Sequence, residues 1–72
     1  MVEDDERLRS GQVADMLGLS RRTVQSYHHH AVRERAAGRA RVTLFPAPDG
    51  RFEGSGWPWW WRSTIVGWQA NR

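Results

Sequence analysis

The chain has 72 residues, eleven arginines and no lysine, eight acids, no cysteine, and a formal charge of +3. A chain this short buries only roughly 60% of its unfolded surface, which argues against a buried catalytic chamber, and without cysteine neither disulfides nor thiolate metal sites can staple it. Nothing in it approaches the ~20 apolar residues of a membrane span, its start is acidic where a secretory leader is basic, and no carboxylate pair, nucleophile with base, or phosphate-cradling glycine loop marks an enzyme, so a cytoplasmic, non-enzymatic protein without cofactor is expected.

Charge divides the chain at its beginning. Residues 1–6 carry four acids and no base, and a flexible acidic tail over residues 1–7 is expected. Residues 7–72 hold eleven arginines against four acids, a net of +7. Such a body attracts polyanions, of which duplex DNA is the commonest in a cytoplasm. Five tryptophans supply the buried area that staples would otherwise replace.

Ser10 is a candidate cap for a helix over residues 11–18, with Gly18 as a left-handed stop. Within it Val13, Met16 and Leu17 fall at i, i+3, i+4 and form one apolar face. Leu19 turns inward, and Ser20 caps a second helix opening with Arg21, Arg22 and Thr23. Two capped helices around Gly18, Leu19 and Ser20 predict a helix-turn-helix. On the second helix Val24, Tyr27, His28 and Ala31 make a packing stripe. Arg22, Gln25, Ser26 and His29 repeat the same offsets on nearly the opposite side. This helix is expected to outlast the first and stop near Gly38.

From Val42 two prolines and an Asp-Gly pair exclude helix and favour an extended approach and a turn. Residues 51–53 and 57–61 flank Gly54-Ser55-Gly56 as a β-hairpin. Pro58 donates no N–H, so the second strand is expected to be an edge or to begin after it. Trp57, Trp59 and Trp61 share one face and Trp60 takes the other; one set completes a core with Phe52 and Trp68, and the opposite set is left partly exposed. Ser63 is expected to cap a third helix, from residue 64 to about 71, packing through Ile65 and Trp68. Fold class is therefore α+β, with a domain over residues 8–72.

The run Val-Ala-Asp-Met-Leu-Gly-Leu-Ser-Arg-Arg-Thr-Val over 13–24, with Phe-Pro-Ala-Pro-Asp-Gly-Arg over 45–51, Trp-Arg-Ser-Thr-Ile over 61–65 and a terminal Trp68, resembles the MerR-like winged-helix family of phage excisionases and AlpA-type regulators. The composition is similar to that of actinobacterial phage members. The resemblance implies a small winged helix-turn-helix, the hairpin being the wing, with the second helix in the major groove and the wing on the adjacent minor groove or its phosphates. Carried over by position, Arg21, Arg22, Thr23, Gln25 and Ser26 face the groove. The segment from His28 to Val42 departs from the family in length and basicity. The chain ends after the third helix, without the coiled coil or effector domain of full-length MerR regulators, so no small-molecule effector is expected.

Within that frame Arg22 and Gln25 are the candidate base readers, arginine for guanine O6 and N7 and glutamine for adenine N6 and N7. Ser20, Arg21 and Thr23 at the helix start suit phosphate, Ser20 equally well serving as a cap alone. His29 and His30 are candidates for DNA contact that strengthens as pH falls toward ~6.5, and His28 lies on the packed stripe. Three consecutive helical histidines diverge by about 100° each and do not converge on a metal ion. Arg33, Arg35, Arg39 and Arg41 are basic along the helix and link, either on phosphate or merely solvated, and Arg51 at the wing base is a phosphate candidate.

Three functions compete. The first is an excisionase, a recombination directionality factor that binds and bends attachment-site DNA beside a tyrosine integrase, with further copies on neighbouring sites. The second is a small AlpA-like regulator using the same surface at a promoter. The third is a protein-interaction module whose Trp-rich strand docks a partner.

Overall fold

The computed structural model describes residues 5–71. Strand β1 (Arg7–Leu8) leads into helix α1 (Ser10–Leu17), then α2 (Arg21–Ala36), β2 (Gly50–Arg51), β3 (Pro58–Trp61) and α3 (Arg62–Ala70). The architecture is a small α+β fold of three helices and a three-stranded antiparallel sheet in the order β1-β3-β2. Among the described residues no helix is long and apolar enough to cross a membrane.

The α1–α2 junction forms for local reasons. Gly18 adopts φ 70°, and the N–H groups of Gly18 and Leu19 return to the carbonyls of Asp15 and Ala14, closing α1 in a Schellman arrangement. Ser20 Oγ then accepts the Thr23 N–H at 3.1 Å and caps α2, which at 16 residues is twice the length of α1. A hydroxyl cap of this kind contributes ~1 kcal/mol. Ser10 does not cap α1. It is the first helical residue, the extended Arg9 precedes it, and Gln12 Oε1 accepts the Arg9 N–H at 2.9 Å.

The reason lies in β1, which the sequence reading missed. Leu8 pairs with Trp60 and Arg7 with Trp61, so the chain enters α1 already extended. The acidic tail is correspondingly shorter than expected. Asp5 accepts hydrogen bonds from the Ser63 N–H and hydroxyl, the Glu6 carbonyl accepts the Arg62 N–H at 2.8 Å, and the Glu6 carboxylate meets Arg62 at 3.1 Å. Residues 1–4 of that tail lie outside the described residues. Ser63 is thus a donor to Asp5 instead of the cap of α3, whose first N–H groups are satisfied from the far end of the chain.

The hairpin is present, with Gly50 opposite Trp59 and Arg51 opposite Pro58. Its second strand is not an edge: β1 pairs along the other side of β3, and Pro58 is tolerated because it is the first strand residue. The pleat then selects the tryptophans. Trp60 is fully buried with Leu8 on the face covered by helices, Trp59 and Trp61 lie on the other, and Trp57, ahead of the strand, lines a cleft with Ser10 and Gln25. Phe52 is not in the core; it packs beside Trp59 on that outer face, with ring centroids 6.4 Å apart.

The core joins Leu8, Val13, Ala14, Val24, Ala31, Leu44, Phe45, Trp60, Ile65 and Trp68. Phe45 is its aromatic hub, edge-on to Trp60 at 5.5 Å and to Trp68 at 5.0 Å. Three donors pin the irregular link by its carbonyls. Trp60 Nε1 reaches Pro46 at 2.9 Å, Trp68 Nε1 reaches Thr43 at 3.2 Å, and Arg35 Nη2 reaches Phe45 at 2.8 Å. These bonds satisfy buried backbone that no strand ladder serves.

Candidate nucleic-acid interface

Helix α2 presents four strips, following from roughly 100° of rotation per residue. Val24 and Ala31 are buried against the body. Arg22, Ser26, His29 and Arg33, at i, i+4, i+7 and i+11, lie on the opposite side and are all exposed. Arg21, Gln25 and His28 form a flank turned toward the hairpin, and Tyr27 and His30 a flank turned toward the link.

The hairpin does not cover the open strip. It stands beside it, leaving a cleft whose two lobes, of about 260 and 380 Å³, share Ser10, Gln25, Trp57 and Pro58. Arg9 and Arg21 line one end; His28, His29 and Arg51 line the other. Gln25 is half-buried in this cleft, because it follows the buried Val24 by a single residue and is carried only a quarter turn from the core. Arg22 and Gln25 therefore do not project together: Arg22 stands on the open strip and Gln25 recedes beside the hairpin.

The capping hydroxyls are partly engaged. Ser20 Oγ and Thr23 Oγ1 hydrogen-bond each other at 2.8 Å, in addition to the cap. Arg51 Nη1 donates to the Gly56 carbonyl at 3.0 Å and so braces the hairpin loop from the cleft side. Of the basic series, Arg33 alone joins the open strip. Arg35 is turned inward onto the link, and Arg39 and Arg41 converge on Glu34 at 2.7 and 3.6 Å. The Arg39 hydrogen bond holds the Glu34 carboxyl below its ordinary pKa, and the two arginines share this one carboxylate at the helix end.

His28 is half-buried, edge-on to Trp60 with centroids 5.5 Å apart, and its Nδ1 is enclosed without a hydrogen-bond partner. Burial disfavours its imidazolium, and His29, Arg51 and Arg35 push the same way, so its pKa lies below the ordinary 6.5. It is a neutral packing group at the root of the cleft. Its spacing already set it on the packing stripe, apart from the outward His29; the edge contact with Trp60 is what the tertiary structure adds.

Compared with models of protein families, with curated proteins and with solved structures, the chain gives no match.

Proposed function

We propose that the chain binds duplex DNA as a small winged helix-turn-helix protein, α1 and α2 forming the helix pair and the β2–β3 hairpin the wing, and that it serves as an excisionase. The observation that carries this reading is the open strip of α2. Arg22, Ser26, His29 and Arg33 project from one side of a 16-residue helix, and none of them joins an ion pair among the described residues. A helix of this kind fits the major groove, and Arg22 is placed near its start, where recognition helices reach base edges. A phosphate strand at the groove wall would enter the cleft, where Arg9, Arg21 and Arg51 supply cations. Base reading falls on Arg22 more than on the half-buried Gln25.

The likeness of residues 13–24, 45–51 and 61–65 to MerR-like excisionases supports the same placement and suggests a tyrosine integrase and further copies of the chain as partners. One such domain reads few base pairs, so several copies on adjacent sites would supply selectivity. At a promoter the same surface would make an AlpA-like regulator. Mobility shifts on attachment-site DNA distinguish the two: an excisionase gives stepwise cooperative complexes and bent DNA, whereas a regulator prefers its promoter.

Arg22→Ala is expected to weaken binding to the specific site by ~1–3 kcal/mol and to relax one base preference. Equal weakening on every sequence would reassign Arg22 to phosphate, and absence of any duplex binding by the wild-type chain refutes the DNA reading.

A further inference from the structure

The sheet has a second face. Opposite the buried Leu8 and Trp60 it carries Arg7, Trp59 and Trp61, with Phe52 continuing the row past β2. Trp59 and Trp61 lie 4.9 Å apart in a T-shaped pair, and Trp61 is 36% exposed. Trp57, 55% exposed and just ahead of β3, stands at the cleft beside this row. The Trp59 indole lies against Gly50, where an added Cβ would come within 2.4 Å of the ring. The row is therefore built in and has a glycine cut to fit it.

Two guanidiniums rest on this row. Arg7 stands over the Trp59 ring at 5.4 Å and Arg9 over Phe52 at 4.7 Å, each fixed by cation–π attraction. Neither has an ion-pair partner among the described residues. Of the acids near the row, Glu6 pairs with Arg62, Asp5 bonds Ser63 and Asp49 accepts the Trp61 N–H, while Glu53, next to Phe52, joins no ion pair among the described residues. An exposed aromatic cluster with fixed, unneutralised cations calls for an anionic partner with flat apolar groups. A second copy docked face to face would gather both copies' Arg7 and Arg9 into one interface, which like-charge repulsion opposes.

We propose that this outer sheet face is a stacking platform for single-stranded DNA. Bases lie on the Trp61 and Trp57 indoles and on the guanidinium planes of Arg7 and Arg9, and phosphates meet the free N–H edges of the same guanidiniums. Such a platform is sequence-tolerant, since every base has a π face. The choice of DNA over RNA rests on the duplex reading above: Arg9 and Trp57 border both surfaces, so a strand opened next to the cleft passes directly onto the platform. The platform itself is separate from the open strip of α2.

The test titrates the full chain against fluorescein-labelled dT15, following anisotropy and tryptophan emission together. Binding with quenched emission is expected. Arg7→Ala and Trp61→Ala each weaken dT15 about tenfold, Trp61→Ala also diminishing the quench, while Trp61→Phe retains binding. Duplex affinity stays unchanged in these variants, and Arg22→Ala shows the reverse pattern, so the two readings fail separately. Near-ultraviolet circular dichroism checks each fold; Arg7, an exposed side chain, and Trp61→Phe keep the test open should Trp61→Ala unfold. The proposal is overturned by dT15 binding indifferent to Arg7 and Trp61, by duplex and single-strand affinity falling in parallel, by tenfold preference for rU15, or by a concentration-dependent dimer that Trp61→Ala dissolves.

Discussion

His28 sits where α2 meets the central strand, its ring edge on Trp60 and its Nδ1 enclosed without a partner. A histidine whose folded pKa is depressed takes up its proton more readily in the unfolded chain, so the folded state loses stability as pH falls below the ordinary value of 6.5. Thermal midpoints measured from pH 7.5 down to pH 5 should therefore decline in the wild-type chain and decline less in His28→Leu, which fills the same space without a titrating group. Parallel curves for the two proteins would show that His28 does not contribute to the pH dependence. The same neighbourhood shows what residue spacing conveys. The offsets of Arg22, Ser26 and His29 from Val24 marked an exposed side that the structure leaves open, but Gln25, on the margin of that stripe, was classed with them and recedes into the cleft. Spacing gives an angle around a helix axis; what stands at that angle is supplied by another element.

Among the elements, α1 and α2 carry their own instructions. Gly18 and Ser20 are local devices whose partners lie within five residues, and both act as their sequence positions suggest. The third helix is the opposite case. Its leading N–H groups are met by Asp5 and by the Glu6 carbonyl, 58 and 56 positions away in the chain. The Ser63 hydroxyl bond holds the Asp5 carboxyl below its ordinary pKa, which makes the carboxylate a stabilising group at neutral pH whose contribution is lost on acidification through that depressed value. Asp5→Ala is expected to lower the thermal midpoint at pH 7, with the deficit relative to wild type shrinking as pH drops into the range where carboxylates protonate. A deficit independent of pH would place the effect in something other than this charge-assisted cap. A two-residue strand such as β1 has no periodicity to read, and acids beside it resemble a solvated tail, so both were illegible until Trp60 and Trp61 supplied their partners.

Across the whole molecule, charge is sorted by the fold. Arginines that look equivalent along the chain divide into those that hold the link or pair with Glu34 and those that remain outward around the cleft and on α2. If Arg9, Arg21, Arg33 and Arg51 each neutralise one phosphate, the logarithm of duplex affinity falls against the logarithm of salt concentration with a slope of about −3 to −4. A slope near zero is incompatible with that assignment, whatever the affinity at one salt concentration. By itself the amino-acid sequence determined the first two helices, with Gly18 ending one and Ser20 capping the other, the hairpin, the absence of thiol chemistry and the excess of cations. These depend on residue type, on contacts within a few residues, or on composition. Which tryptophan enters the core, that β3 lies between two strands, how residues 42–46 are tied down and which arginines stay unpaired were decided only by tertiary structure, because each depends on partners brought together from both ends of the chain. Alternation along β3 separates its side chains into two sets; only helices packed on one side make one set core and the other surface.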